Sequence, residues 1–549
     1  MKFDDVLETI GPFGKYQKIR CLLLCMFSLV SAWHAFNMVF VGAVPEFHCD
    51  NQNINISSSK ISNISDAGLL ELLVPDDSCQ QYDEKDVIML YDNSTGVHRI
   101  LSSNMSTTDC TRGFWYSKET YSSTIVSQFD LVCKRSFWIS TSKSVFFFGR
   151  LCGAVAFGQL SDRFGRRPMF FVGAAILLVA GSIASAAQNI YMFLPMYFLQ
   201  GLAHTGIFLV VYTLSTELVG PEYRFLVSVT IQIFYSVGCM ILSGMAYLLR
   251  DWRYLELAIT LPVVLFASYW WFLPESVRWL LSQNRFDEAH KYLKEAAATN
   301  GAILSPSIMK SLQDVDNKNL KNGKKYGSVL PVTKGHQGGK TINNGRKYYF
   351  LDLVRTWPMA KISLNIWFNW FANALVYYGL SLNTENLAGD PYLNFCIAGA
   401  VEIPAYILCI ISLNKVGRKV IVVTSMCVGG IACILSGTVH INGNSGTVTT
   451  VLAMIGKFFI TASYGMLYLL AAEVFPTVVR NVGVGVSSMS GSIGGILVPT
   501  MLDLKSIWAP LPLVLFGSLS ITAGSLALLL PETTDRPMPQ LLEDVSTSD

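Results

Sequence analysis

Charge is what this sequence has least of: Asp, Glu, Lys and Arg make up 14% of its 549 residues, against 51% apolar residues. Soluble domains carry roughly a quarter charged residues, so the composition excludes an ordinary soluble protein of this size and assigns the chain to a bilayer. The net charge is only +3, which gives no reason to expect a nucleic-acid partner. Also missing are the G-x-S-x-G, H-E-x-x-H and P-loop patterns, and the seven histidines are scattered. No catalytic centre, metal site or cofactor is therefore expected, and an enzyme has no motif to rest on. The N-terminus lacks the short basic lead of a cleaved signal peptide, since Asp4, Asp5 and Glu8 precede Lys15, Lys18 and Arg20.

What the chain has instead is long apolar runs. They fall at 21–44, 140–160, 169–187, 192–215, 225–248 and 254–273, then at 361–381, 393–413, 420–440, 449–472, 481–503 and 508–530, each close to the ~20 residues that cross a bilayer. The expected divisions are an N-terminal segment 1–20, a first half 21–273 with a large loop 45–137, a central loop 274–360, a second half 361–530 and a tail 531–549. The large loop holds 7 basic and 13 acidic residues, and the central loop holds 14 basic and 7 acidic. Lys and Arg mark the cytoplasmic side, which predicts an outside loop, an inside linker and both termini inside. Within the linker, 285–298 reads as a surface helix, and 299–346 as a flexible polar tether.

The outside loop carries four N-x-[ST] sequons, at Asn55, Asn63, Asn93 and Asn104, which its location would expose to glycosylation. It also carries Cys49, Cys79, Cys110 and Cys133. Two disulfides are expected there, and three pairings are open. The other eight cysteines sit in or beside apolar runs as small packing residues.

The chain repeats itself. Gly158 to Pro168 reads GQLSDRFGRRP, crowding Asp162, Arg163, Arg166 and Arg167 around Gly165, and a weaker echo, NKVGRK, places Arg418 252 residues after Arg166. Glu217 and Arg224 in STELVGPEYR match Glu473 and Arg480 in AAEVFPTVVR 256 residues on, and Pro274-Glu275-Ser276 matches Pro531-Glu532-Thr533 at 257. Matches at nearly one offset mean two homologous halves, the pattern of transporters built from parallel repeats.

These motifs, with PESVRWL after the sixth span and FPTVVRNVGVG before the eleventh, resemble the major facilitator superfamily, and within it the organic ion transporters of solute carrier family 22. The insect organic cation transporter type is similar through VEIPAY (401–406) and TASYG (461–465). The resemblance covers nearly the whole chain. It implies an all-α membrane protein of twelve helices in two pseudo-symmetric six-helix halves. The implied activity is polyspecific transport of small organic cations, or of zwitterions with a cationic group, by alternating access at the plasma membrane. A carrier of organic anions or carnitine-like compounds using Arg150 and Lys457, and a transporter-shaped receptor, are the other readings. Oligomeric state is not legible.

An ionisable group inside a span is costly and marks a cavity or a partner. Glu402, in GAVEIPAYIL before Pro404, is the expected negative pole, unless Lys457 satisfies it structurally. Trp370, Asn373 and Tyr377 share a helical face, with Tyr378 beside them, and such rings attract cations. Phe208, Gln232, Tyr235, Tyr464 and Tyr468 are further cavity candidates. Ser492 stands where the resemblance implies aspartate in vertebrate cation transporters and arginine in many anion carriers, while Thr205 and Asn373 stand where the former tend to carry charge. The cavity is therefore expected to be less charged than theirs. Arg150 is read as structural, and His34 and His204 as buried polar contacts. The connector charges Asp162, Arg163, Arg166, Arg167, Glu217, Arg418, Glu473 and Arg480 are expected to gate, with Asp162 and Arg163 forming ion pairs to Glu473, Arg480 or their neighbours across the halves when the inner gate is closed. No central acidic residue stands out in the first six spans, so flux driven by gradient and voltage is expected.

Overall fold

The computed structural model describes residues 3–50, 78–82, 107–302, 350–413, 415–441, 446–476, 479–533 and 539. The four sequons, and almost all of the tether expected at 299–346, lie outside the described residues. Among the described residues, ten helices are long and apolar enough to cross a membrane. Trp357–Leu382, whose Lys361 and three asparagines dilute its hydropathy, and the 17-residue Leu511–Ala527 complete twelve. In order these are α1 (Lys15–Phe36, prolonged beyond Asn37 by Met38–Val41), α2 (Phe137–Phe164), α3 (Arg166–Ser185), α4 (Ile190–Leu218), α5 (Arg224–Leu248) and α6 (Trp252–Thr260). The second half has α7 (Trp357–Leu382), α8 (Pro391–Ser412), α9 (Arg418–Ile441), α10 (Gly446–Val474), α11 (Arg480–Asp503) and α12 (Leu511–Ala527).

Side-chain caps start several of them. Asn189 Oδ1 accepts from the Met192 N–H at 2.9 Å, Asp251 Oδ1 from Arg253 at 2.9 Å, and Asp390 Oδ1 from Leu393 at 3.0 Å, satisfying N–H groups that a helix start leaves without partners. The sixth span is not one continuous α-helix: α6 passes into the 3-10 turns Leu261–Ser268 and then the short helix Tyr269–Phe272. Pro262 is the physical reason, because it lacks the N–H that the α-ladder needs. Helices Val277–Ser282 and Phe286–Asn300 follow, the second where the sequence predicts a surface helix.

The first half packs α2 on α4, α1 on α5 and α3 on α6; the second repeats the plan with α8 on α10, α7 on α11 and α9 on α12. Between halves, α2 meets α11 and α5 meets α8, so the two seams are themselves related by the repeat. The α2–α4 contact is backbone to backbone. A Cβ on Gly149 would lie 2.3 Å from the Phe198 carbonyl oxygen, one on Gly153 2.2 Å from that of Leu202, and one on Gly201 2.2 Å from that of Phe146. This is the small-residue spacing that lets membrane helices close up.

The segment between α1 and α2 contains two small antiparallel ladders, β1 (Phe47–Cys49) with β4 (Phe114–Tyr116) and β2 (Gln80–Tyr82) with β3 (Thr107–Asp109). Of the three pairings open from the sequence, the chain forms Cys49–Cys110 and Cys79–Cys133. Cys49 lies in β1, and Cys110 follows β3 directly.

The basic connectors lie at the opposite face, and there the repeat is visible atom by atom. Glu275 accepts from the N–H of Arg166 at 2.9 Å and of Arg167 at 3.2 Å, capping α3, while Arg166 reaches Asp162 at 2.9 Å and Glu217 at 3.5 Å. In the second half Glu532 accepts from the N–H of Arg418 at 3.0 Å, and Arg418 reaches Glu473 at 3.5 Å. Gly165, at φ +104°, leaves no room for a Cβ: one would meet Glu275 Oε2 at 2.4 Å, as one on Gly417 would meet Glu532 Oε2 at 2.2 Å. Burial pushes the Glu275 carboxyl up from its ordinary value, opposed by the N–H donors of Ser276, Arg166 and Arg167.

In this structure the ion pairs of Asp162, Arg166, Glu217, Arg418 and Glu473 run within each half, whereas pairs across the halves are expected when the inner gate is closed. Asp162 pairs with Arg166, Arg163 lies over the Phe164 ring at 5.3 Å, Arg167 lies over Trp270 at 4.7 Å, and Arg480 Nε donates to the Phe475 carbonyl at 3.3 Å. At both corners the glutamate at the far end of the repeat, Glu275 or Glu532, folds back onto the helix start beside it.

Candidate substrate site between the halves

The inner helices place the ionisable groups the sequence singles out at one junction. Pro404 removes an α-ladder bond from α8 two residues beyond Glu402, and Glu402 is buried, 2% exposed. Its Oε1 lies 2.8 Å from the Lys457 ammonium on α10, and its Oε2 accepts from Ser236 on α5 at 2.6 Å. Lys457, also 2% exposed, donates to Ser381 and to the Tyr377 carbonyl and stands 3.3 Å from the centroid of the Tyr377 ring. Ser236 belongs to the first half, so this carboxylate joins the two halves at mid-chain depth. Nothing in its apolar surroundings marked Ser236 or Ser381 in the sequence.

Trp370 and Asn373 do not form a cage with Tyr377 alone: that face of α7 packs on α10. Trp370 meets Tyr468 at 4.4 Å and Tyr464 at 6.1 Å between centroids, Asn373 donates to Ser463, and Tyr377 stacks on Tyr464 at 5.4 Å. Tyr378 turns the other way, to Phe147 at 4.9 Å and Phe36 at 6.0 Å in the first half. Phe36 also reaches Tyr235, which meets Phe208 at 6.3 Å, while Tyr212 reaches Tyr468 at 6.0 Å. The rings thus form one belt across both halves. Gln232 is half-buried on α5, its carbonyl accepting from Ser236, and Ser492 is half-buried on α11, donating to the Ser488 carbonyl at 3.1 Å.

Arg150 is half-buried in the same belt. Its Nε donates to Thr205 at 3.1 Å, and its guanidinium lies 4.9 Å from the Tyr378 ring and 5.4 Å from that of Phe147. No carboxylate among the described residues pairs with it. The junction therefore holds one cation neutralised by Glu402 and one held by rings and hydroxyls. No cluster of His, Cys, Asp or Glu that could hold a metal occurs among the described residues.

Toward the disulfide face the halves are tied by Lys143 on α2 and Glu385 after α7, 3.0 Å apart with side chains 7% and 18% exposed, and by Ser144 donating to the Ile496 carbonyl at 2.9 Å. Tyr392 of α8 donates to the Thr120 carbonyl at 3.0 Å, and its own carbonyl accepts from Ser243. Sequence reading missed the ion pair, although Lys143 stands alone inside an apolar run. We expect Lys143→Glu to lower uptake by about tenfold and Lys143→Glu/Glu385→Lys to recover most of it, as for coupled charges in contact. Equal loss in the single and the exchanged variant, at matched protein amount, would show that the pair does not couple the halves.

Twelve spans in two like halves, with the Glu402–Lys457 pair and Arg150 where the halves meet, define a membrane transporter built by duplication. The sugar (and other) transporter family matches residues 25–544. The organic cation transporter protein of Drosophila melanogaster is 40% identical over 544 residues, covering 99% of this chain and 94% of that one. The beta-alanine transporter of Drosophila melanogaster is 34% identical over 570 residues, covering 99% and 89%. The fold is similar to that of the major facilitator superfamily proton:xylose symporter XylE bound to 6-bromo-6-deoxy-D-glucose, with TM-score 0.60, 14% identity, and 96% and 99% of the two chains covered. The chain belongs to the sugar (and other) transporter family of the major facilitator superfamily, on its solute carrier family 22 branch.

Proposed function

We propose that this chain is a plasma-membrane carrier that moves small organic cations, or zwitterions with a cationic group, by alternating access of its two halves. The observation that carries the reading is the Lys457 ammonium held at once by a carboxylate and an aromatic ring between the halves. A centre that stabilises its own ammonium in this way has the groups that an organic ammonium needs, and rings add about 0.5–2 kcal/mol each when dry. The name of the organic cation transporter relative supports the same substrate class.

In this reading the disulfide-bonded segment and its sequons face outside, both termini face the cytoplasm, and the self-contained basic connectors brace each half as it rocks. No reaction step is involved. Voltage would add about 2.3 kcal/mol per charge per 100 mV. The test is uptake into proteoliposomes holding the full chain, with imposed voltage and a labelled panel of quaternary amines, betaines and carboxylates. Accumulation of the amines, increased by inside-negative voltage, is expected. Saturable binding without accumulation would instead favour a receptor, and accumulation of carboxylates alone an anion carrier.

Arg150 favours the zwitterion within this class. Its guanidinium has no carboxylate partner among the described residues, and guanidinium–carboxylate pairing is the strongest contact it could make with a substrate. The beta-alanine transporter relative is named for such a zwitterion. Arg150→Gln is expected to cut betaine and β-amino acid uptake by tenfold or more, a loss of about 1.4 kcal/mol or more, and to spare a quaternary amine without a carboxylate. Equal loss for both would leave Arg150 a packing residue.

A further inference from the structure

α1, α4 and α6 of the first half meet at a buried polar cluster that substrate handling does not use. Glu256 on α6 is 0% exposed. Its Oε2 accepts from Asn37 Nδ2 at 2.8 Å and its Oε1 from Gln200 Nε2 at 2.8 Å, while the Tyr197 hydroxyl donates to Asn37 Oδ1 at 2.9 Å. Asn37 and Gln200 are likewise 0% exposed and Tyr197 is 1% exposed. A buried carboxylate ordinarily takes a cationic partner, and none among the described residues contacts Glu256.

The titratable and charged neighbours are all engaged elsewhere. On α1, His34 bonds the Val30 carbonyl and Thr260; on α4, His204 bonds Ser31. On α6 itself, Asp251 caps its own helix, and Arg253 donates to the Ser185 and Ala187 carbonyls and to Gln128. α3 carries its charges, Arg166 and Arg167, at the opposite end, and α5 likewise Arg224. Tyr235 of α5 faces Phe36 and Phe208, Tyr247 faces Tyr392, and Cys239 on the same helix is buried as a free thiol. Residues 38–41 bring no titratable group.

The second observation is that Gln200 Oε1 is buried without a hydrogen-bond partner. A half-turn of this carboxamide exchanges its oxygen and nitrogen with little change in shape. The turned amide would present a carbonyl to Glu256 Oε1. The ionised carboxylate is then satisfied by two N–H donors, and the protonated acid by one N–H from Asn37 and by an O–H donated to Gln200. Each state leaves one atom of the Gln200 amide unpaired, so the cluster accommodates both.

We propose that Glu256 is a proton-binding site of the transport cycle, taking up one proton from water on its Oε1 as Gln200 turns and releasing it when Gln200 turns back. The route to the substrate junction is short. Asn37 is the residue that interrupts α1, and its neighbour Phe36 meets Tyr378 at 6.0 Å and Phe395 at 5.7 Å across the halves. Any shift of Asn37 is therefore delivered to the inter-half contact.

Two readouts on the reconstituted full chain test this, the first independent of any transported substrate. Infrared difference spectra across a pH titration should contain a protonated-carboxyl stretch that Glu256→Gln loses, and Asn37→Leu should move its midpoint to higher pH, because the ionised form loses a donor. A titration identical in wild type and Glu256→Gln overturns the site. If Glu256→Gln does not fold, an unmoved midpoint in Asn37→Leu does so instead. The second arm rests on the carrier reading: accumulation of labelled tetraethylammonium should change by up to about tenfold per unit of imposed pH gradient in wild type and stay flat in Glu256→Gln. A flat wild-type profile with intact uptake overturns the link to the cycle alone, whereas absence of uptake at every pH counts against the carrier reading and leaves the infrared result standing.

Discussion

Glu402→Gln is expected to lower both uptake and the thermal stability of the purified protein, while Glu402→Gln/Lys457→Met recovers the stability and not the uptake. The single substitution leaves the Lys457 ammonium without its counter-charge at a position 2% exposed, and breaking one side of a buried ion pair costs about 3–5 kcal/mol. Replacing both partners by groups of similar volume removes the stranded charge, and such replacements are often neutral in stability. The loss of uptake in the double variant would then report the missing negative pole rather than a damaged fold. Uptake that returns together with stability would make the pair a structural clasp, and the site would have to be sought among the other rings. On the proposed reading an arriving cation would compete with an internal one, because the Lys457 ammonium already contacts the Tyr377 ring and the Glu402 carboxylate.

Gly153→Leu should prevent the protein from accumulating as a monodisperse species, and Gly153→Ala should already lower its melting temperature. The added Cβ would lie 2.2 Å from the Leu202 carbonyl oxygen, which is backbone and can yield only by moving α4 away from α2. Overpacking of this kind costs about 1–3 kcal/mol for modest additions. Gly244 on α5 is the internal control. A Cβ there meets nothing within 4 Å, so Gly244→Ala should be neutral or stabilising by up to about 1 kcal/mol through helix propensity. Equal melting temperatures for the two alanine variants would mean that the α2–α4 seam is not close-packed.

The positions of the spans and the doubling of the chain were legible because hydropathy and motif offsets are local properties of sequence. Arg166, Glu217 and Glu275 and their counterparts Arg418, Glu473 and Glu532 recur in order, and each set occupies one corner of its half. Which residues those charges touch was not legible. The offset between Arg166 and Arg418 is the same whether they bridge the halves or brace them, and only the fold-back of Glu275 and Glu532 decides for bracing in this structure. The stripe of Trp370, Asn373 and Tyr377 was correct as helical spacing and silent about its neighbour, which is α10. Glu256 was passed over because it lies only four residues from the start of its helix, where a carboxylate looks solvated.

By itself, then, the sequence determined that this protein is a membrane-embedded duplicate, since burying apolar runs of bilayer length requires nothing beyond the runs themselves. The tertiary structure alone decided which ionisable groups inside the spans meet a counter-charge and which are held by neutral groups: Glu402 meets Lys457, while Arg150 is held by rings and hydroxyls and Glu256 by amides. Those outcomes depend on distances of a few ångströms between helices far apart in the chain, and in a dry interior such distances set the energy of a charge.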